Sequence, residues 1–221
     1  MKNIQIVREY KNGVTFTEAL KLVGDHRMLN CKAADELLQD EEAYKKCNAL
    51  FTCWTGTMLV YEAPGVPFGK YVKDSVTGWI FDVPEEFQGK TDIALLLEHP
   101  DFKIEEGAYG MTFVRPAPLY EISSMPFPTK DGWYLPNGFG IPTGDEVSRS
   151  NKDARYLSRR SEATVRPVVR WYYDFGNRRN VVCFYGPDDY RLGVGYVEPQ
   201  ATETKPAAAK RKSRKAVEAK Q

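Results

Sequence analysis

Few residues in this chain of 221 have the types and spacing that chemistry demands. There are two histidines, His26 and His99, and neither has the neighbours of a hydrolase triad. They read as core or surface residues. The four cysteines, Cys31, Cys47, Cys53 and Cys183, contain no Cys-x-x-Cys pair, so a structural zinc site would need scattered ligands. Reduced, buried thiols are the simpler expectation. Gly138, Gly140 and Gly144 sit in GFGIPTG, which lacks the lysine of a phosphate loop and reads as an ordinary loop. Glu85-Glu86 and Glu105-Glu106 fall in turn-like sequence and read as solvated pairs rather than a general acid and base. No calcium-loop spacing occurs, and Asp188-Asp189 is the one place left open for a metal. No cofactor is expected.

What the chain does have is a cluster of residues suited to recognition. Val165 to Val197 reads VRPVVRWYYDFGNRRNVVCFYGPDDYRLGVGYV, three apolar runs separated by Gly176-Asn177 and by Gly186-Pro187-Asp188-Asp189. Gly and Asn tolerate positive φ and Pro presets a turn, so the runs read as three strands of a meander at a sheet edge. Alternation puts Val165, Val169, Trp171, Tyr173 and Phe175 on one face. Arg166, Val168, Arg170, Tyr172 and Asp174 lie on the other, expected to be open. Tyr offers large contact area at small entropic cost, and Arg, Asn and Asp adapt their hydrogen bonds. The candidate ligand-binding residues are Trp171, Tyr172, Tyr173, Asp174, Asn177, Arg178, Tyr185, Asp188 and Tyr190. Val181, Cys183, Leu192, Val194 and Tyr196 would hold the strands beneath.

The rest of the chain must position this stretch. Ile4 to Val7 fits an opening strand. Thr15 or Thr17 can cap a helix over Glu18 to Val23 that stops at Gly24. Ala33 to Lys46 is the clearest helix, acidic early and basic late, as the helix dipole prefers. Thr57 to Glu62 and Met111 to Val114 read as strands, and Val72 to Val83 as two short strands about Thr77-Gly78. Asp92 to Leu97 has an ambiguous period that Ala and three Leu tilt toward helix. The six prolines between Arg115 and Thr143 exclude regular interior strand or helix, so ordered irregular chain is expected there. A short helix is expected around Asp153 to Leu157.

Length suits one domain over residues 1–199. Residues 200–221 change character: no aromatics, and seven of the 31 Lys and Arg against two of the 30 Asp and Glu. Such sequence cannot bury a core and reads as a basic, disordered tail. The body left behind is mildly acidic, which argues against a nucleic-acid-binding body, though Lys210 to Lys215 offers weak nucleic-acid contact. No apolar run reaches the ~20 residues of a membrane span. The opening MKNIQIVREYKNG lacks a signal-peptide core, so synthesis in the cytoplasm is expected.

Arg170-Trp171, Asn180 to Tyr185, Pro187-Asp188, Arg191 and Gly195-Tyr196-Val197 together resemble the final strands of the C-type-lectin fold in its formylglycine-generating-enzyme branch. Gly132 to Pro136 and Val14 to Ala19 are weaker echoes. The branch also contains the variable proteins of diversity-generating retroelements, which bind ligands through this C-terminal stretch. The resemblance implies an α+β, C-type-lectin-like fold with short antiparallel strands, two helices and much irregular chain. It implies a non-catalytic recognition protein displaying variable residues to a macromolecular, protein ligand. Two other functions are carried with it: a formylglycine-generating-type oxidoreductase, and a nucleic-acid-associated protein acting through its tail. The enzymes of the branch need paired cysteines near these strands, whereas only Cys183 occurs here. The calcium-dependent sugar-binding motif is also missing, and Gly-Phe-Arg is replaced by Gly195-Tyr196-Val197.

Overall fold

The structure is a computed structural model that describes residues 4–39, 52–118, 122–173 and 179–197. The two ends of the described chain meet: β1 (Ile4–Arg8) pairs antiparallel with β14 (Val194–Val197), Ile4 opposite Val197. α1 (Phe16–Val23) follows β1. Thr15 Oγ1 accepts from the Glu18 amide at 3.2 Å and Glu18 Oε2 accepts from the Thr15 amide at 2.9 Å, a complete capping box. The helix buries Phe16, Ala19 and Val23 and ends at Gly24, whose φ of 58° suits glycine.

α2 (Cys31–Gln39) starts two residues before the expected helix, because Asn30 Oδ1 accepts from the Ala33 amide at 2.8 Å and serves as its cap. Residues 40–46 of the expected helix, and Cys47, lie outside the described residues.

An eight-stranded sheet forms the centre. Its order is β10 (Pro142–Glu146), β9 (Gly132–Pro136), β11 (Arg155–Leu157), β13 (Arg179–Cys183), β12 (Thr164–Tyr173), β2 (Thr52–Tyr61), β5 (Ile93–Glu98) and β8 (Ser123–Pro126). A smaller sheet is ordered β3 (Tyr71–Lys73), β4 (Ile80–Asp82), β7 (Thr112–Pro116) and β6 (Phe102–Glu106). One face of the large sheet, with Trp54, Met58, Val60, Leu95 and Val169, packs on α1 and on Val72, Phe81 and Val114 of the small sheet. The other face, with Leu59, Tyr61, Leu96, Val168 and Val182, packs on Cys31, Tyr134, Ile141 and Leu157. Burial on both faces explains why β2 is apolar or small at nearly every position and shows no alternation.

Several expectations are corrected. Ile93–Glu98 is a strand, not a helix: between β2 and β8 it buries Ala94 through Leu97 on both faces, so tertiary pairing overrides the helix propensity of Ala and Leu. Arg155–Leu157 is also a strand, held parallel to β13 and antiparallel to β9. The proline-rich segment contains β8, β9 and β10. β8 and β10 are edges, and the prolines of β8 and β9 fall at strand ends, where a missing amide costs little.

The meander is a hairpin plus a separate strand. β12 and β13 pair antiparallel, Val169 opposite Cys183 and Tyr173 opposite Arg179, but β14 leaves to close on β1. The hairpin is not at an edge, since β2 flanks one side and β11 the other. Nor is one face of β12 open: Arg166, Val168 and Arg170 are all buried.

Buried arginines require compensation. Arg166 donates from Nε and Nη2 to Asp74 at 2.6 and 2.7 Å. Arg155 Nε meets Asp35 of α2 at 2.7 Å, and Arg170 Nη1 lies 3.4 Å from the same carboxylate. Arg170 also donates to Cys31 Sγ at 3.0 Å and to the Gly140 carbonyl. Gly140 has φ of 74°, and a Cβ there would stand 2.8 Å from the Cα of Lys32 and 3.0 Å from the Cys31 carbonyl oxygen. Gly140→Ala therefore combines left-handed strain with a backbone collision. A loss of about 1–3 kcal/mol is expected in urea unfolding. An unchanged midpoint would mean that the α2 contact is not held this tightly.

Candidate functional site

The candidate surface is built where β13 ends. Cys183 is the last strand residue. Phe184 then turns inward and packs edge-on to Tyr61 at 5.4 Å and Phe127 at 6.4 Å. Tyr185 is half-buried, and Tyr190 stacks on it with ring centroids 4.3 Å apart and planes 21° apart. Burial pushes the Tyr185 phenol up to about 12, with Cys183, Tyr190 and Tyr10 adding to the rise. It stays neutral at physiological pH and can donate as well as accept. Tyr10 and Tyr190 are both 46% exposed, a large aromatic area in water.

The turn between the two tyrosines is fastened to the first turn of α1. The Phe16 amide donates to the Pro187 carbonyl at 2.7 Å, Thr17 Oγ1 donates to Asp188 at 3.0 Å, and Arg191 Nη1 meets Glu18 at 3.2 Å. Glu18 thus completes a helix cap and holds the turn that carries Asp188. The surface is presented by a fixed element rather than a free loop.

Tyr185, Asp188 and Tyr190 of the sequence-predicted site are therefore brought together. Trp171, Tyr172 and Tyr173 lie at the far end of β12, where Tyr173 pairs with Arg179. The Val169–Cys183 pair is four residues back, about 13 Å along the strand. Asp174, Asn177 and Arg178 lie outside the described residues, as does the basic tail.

Beside Tyr185 opens a cleft of about 260 Å³, lined by Ser158 to Glu162 and Cys183 to Tyr185. Parallel pairing of β11 with β13 brings these segments together, extended by the Ser158 amide donating to the Val182 carbonyl at 2.9 Å. Arg159 forms its inner wall. It is 9% exposed, lies over Tyr61 at 5.1 Å and Phe127 at 5.3 Å, and donates to the carbonyls of Pro128 and Glu62 at 2.6 and 2.7 Å. Sequence reasoning did not find Arg159 or Arg160. Their polar surroundings, SRRSE, look like any solvated loop, and only the β11–β13 pairing places them beside Tyr185.

The remaining chemical candidates resolve into structure. His26 stacks on Tyr196 at 4.4 Å, and His99 Nδ1 accepts from the Met28 amide at 3.5 Å. Cys31, Cys53 and Cys183 are free and buried, and burial pushes each thiol up to about 12, so none is a ready nucleophile. Cys53 on β2 and Cys183 on β13 flank β12, about 10 Å apart across the sheet, beyond the ~7 Å reach of a disulfide. Among the described residues no three His, Cys, Asp or Glu side chains converge on a metal position, and Asp188 is engaged by Thr17.

One carboxyl is unusual. Glu98, at the end of β5, lines a second cleft with Asp101, Ile122 and Phe139. Burial pushes it up to about 8, against the hydrogen bond it accepts from Thr57 Oγ1 at 2.9 Å. Thr57 in turn accepts from the Cys31 amide at 2.9 Å, so Glu98 ends a buried polar chain reaching Arg170. No helix among the described residues is long and apolar enough to cross a membrane. Comparison with protein-family models, with curated proteins and with solved structures finds no match to this chain.

Proposed function

We propose that this protein is a non-catalytic recognition module, a lectin-like scaffold that binds a protein ligand through the tyrosine surface at the end of β13. The observation that carries the reading is the Tyr185–Tyr190 stack, with Tyr10 nearby, exposed beside a cleft and fixed to α1 by three polar contacts. Rigid aromatics at the rim of a concavity are what binding hot spots are made of. Neutral buried thiols and structurally engaged histidines favour binding over catalysis. The α+β architecture and the closure of the first strand on the last support the lectin-like reading. On this reading Trp171, Tyr172, Tyr173, Asp174, Asn177 and Arg178 form the outer part of the same face, and the side chains displayed here are the ones that vary between copies.

The test is a pair of substitutions, Tyr10→Ala with Tyr190→Ala, measured against a protein binder selected on the wild-type chain. Affinity should fall by about 100-fold or more while the urea midpoint stays within about 1 kcal/mol of wild type. A binder that holds the double variant as tightly as the wild type would remove this surface as the recognition site. A reverse transcriptase beside the gene, with a near-repeat of the codons for residues 165–197, would identify the source of variation.

A further inference from the structure

We infer that the Arg159–Tyr185 cleft is an oxyanion subsite: it takes a carboxylate or phosphate group of the ligand, held by Arg160 and the serine hydroxyls in the field of Arg159. This rests on the recognition reading above for the ligand's identity, but the subsite itself stands on charge and geometry.

Arg159 and Arg160 are consecutive guanidinium groups, and neither forms an ion pair among the described residues. That sets them apart from the other buried arginines, Arg155, Arg166 and Arg170, each of which meets a carboxylate. Arg159 is satisfied by carbonyls and ring faces only, and its Nε is buried without a hydrogen-bond partner. Burial lowers its pKa from the ordinary value, against the fields of Tyr61, Asp92 and Asp131, which raise it without forming an ion pair. The Asp131 carboxylate is engaged by the Arg159 backbone amide, at 2.7 Å. Glu162, the acidic residue in the cleft lining, accepts from Ser75 Oγ. Ser158 and Ser161 line the same space.

Thus the cleft gathers a fixed desolvated cation, a half-exposed cation and two serines against one carboxylate, Glu162, which is tied to Ser75. An oxyanion complements that set: it accepts from a planar guanidinium fork and from hydroxyls together, in a setting where charge is weakly screened. At about 260 Å³ the cleft is smaller than a typical drug-sized site of ~300 Å³ or more, so it suits one group of a ligand rather than a whole cofactor. Tyr185 forms its rim, which places the captured group against the stacked tyrosines.

The experiment titrates the full chain, labelled for observation of arginine Nε–Hε resonances, with inorganic phosphate, acetate and chloride at constant ionic strength. Phosphate or acetate should shift the Arg160 resonance saturably with a midpoint of about 1–10 mM, and chloride should not. Which of the two binds tighter separates phosphate from carboxylate as the group recognised. Arg160→Gln, followed at the Arg159 Nε–Hε resonance of the same cleft, should show a midpoint about tenfold weaker than wild type with the fold intact. Equal shifts with chloride, no saturation, or an unchanged midpoint in Arg160→Gln would overturn the subsite. A positive titration combined with a Tyr10/Tyr190 variant that still binds its partner would keep the subsite and sink the recognition surface. The reverse pair of results would do the opposite.

Discussion

Asp74→Leu should destabilise the protein by about 3–5 kcal/mol, the largest effect expected of any single substitution here. Asp74 is fully buried and Arg166 is 2% exposed, so removing the carboxylate leaves a guanidinium in the core with no counter-charge. Asp74 does more than pair: its two oxygens accept from Arg166 Nε and Nη2 and from the amides of Val76, Thr77 and Val165. One side chain therefore ties the loop after β3 to the central strand β12. The two partners should not be equivalent. Arg166→Met leaves Asp74 with three backbone donors, so it should cost less than Asp74→Leu. The double variant, with neither charge, should recover part of the loss. Additive single losses in a double-mutant cycle would show that the pair is not coupled.

The pH dependence of this pair has a definite sign. Burial would raise the Asp74 carboxyl, but hydrogen bonds from Arg166 and the backbone outweigh it and hold it below its ordinary value. A depressed folded-state pKa gives stability that is present above the unfolded value, near 3.9, and lost as pH falls through the folded one. Urea midpoints should therefore drop below about pH 4 in the wild type. Asp74→Leu should lack that share of the acid dependence.

Glu98 should act in the opposite direction and at the opposite end of the pH scale. Its carboxyl is raised to about 8 in the fold and returns to ~4.3 on unfolding. A raised pKa contributes stability that is complete below the unfolded value and lost as pH climbs through about 8. Glu98→Gln keeps an acceptor for Thr57 Oγ1 but has no proton to lose. At pH 9 it should be more stable than wild type by about 2–4 kcal/mol, discounted for solvent reaching the cleft, and below pH 4 the two should coincide. A Glu98 carboxyl that titrates near 4 by NMR would contradict this, as would parallel stability profiles. The residue shares a strand face with Ala94 and Leu96, which are buried in the apolar cluster around Cys31, and the neutral acid is the form that this environment accepts.

The parts of the fold that were legible in the sequence are those governed by local chemistry. Thr15 is one of the two threonines that can cap α1, Gly24 spells its stop, and the pairing of β12 with β13 follows from two β-rich runs on either side of Gly176-Asn177. Illegible were elements whose identity depends on what covers them. IALLLE at β5 has no alternation because both its faces are buried. Arg155–Leu157 reads as polar, yet Arg155 is buried because Asp35 waits for it across 120 positions of sequence. The same cause divides the candidate site. Tyr185, Asp188 and Tyr190 lie within six positions and could be grouped by eye, whereas Arg159 and Arg160 reach them only through a parallel strand pair.

The pairing of β1 with β14 also sets the order in which this chain can be completed. Ile4 meets Val197, so the first of the described strands to be synthesised waits for the last of them. At ~5–20 residues per second the ribosome needs about 10–40 s to cover that interval. Until then Ile4 and Ile6 have no strand to pair with and the cluster of Leu29, Ala34 and Cys53 beneath them stays open. Its native state therefore depends on a contact between opposite ends of the described chain, the kind of non-local pairing that slows folding.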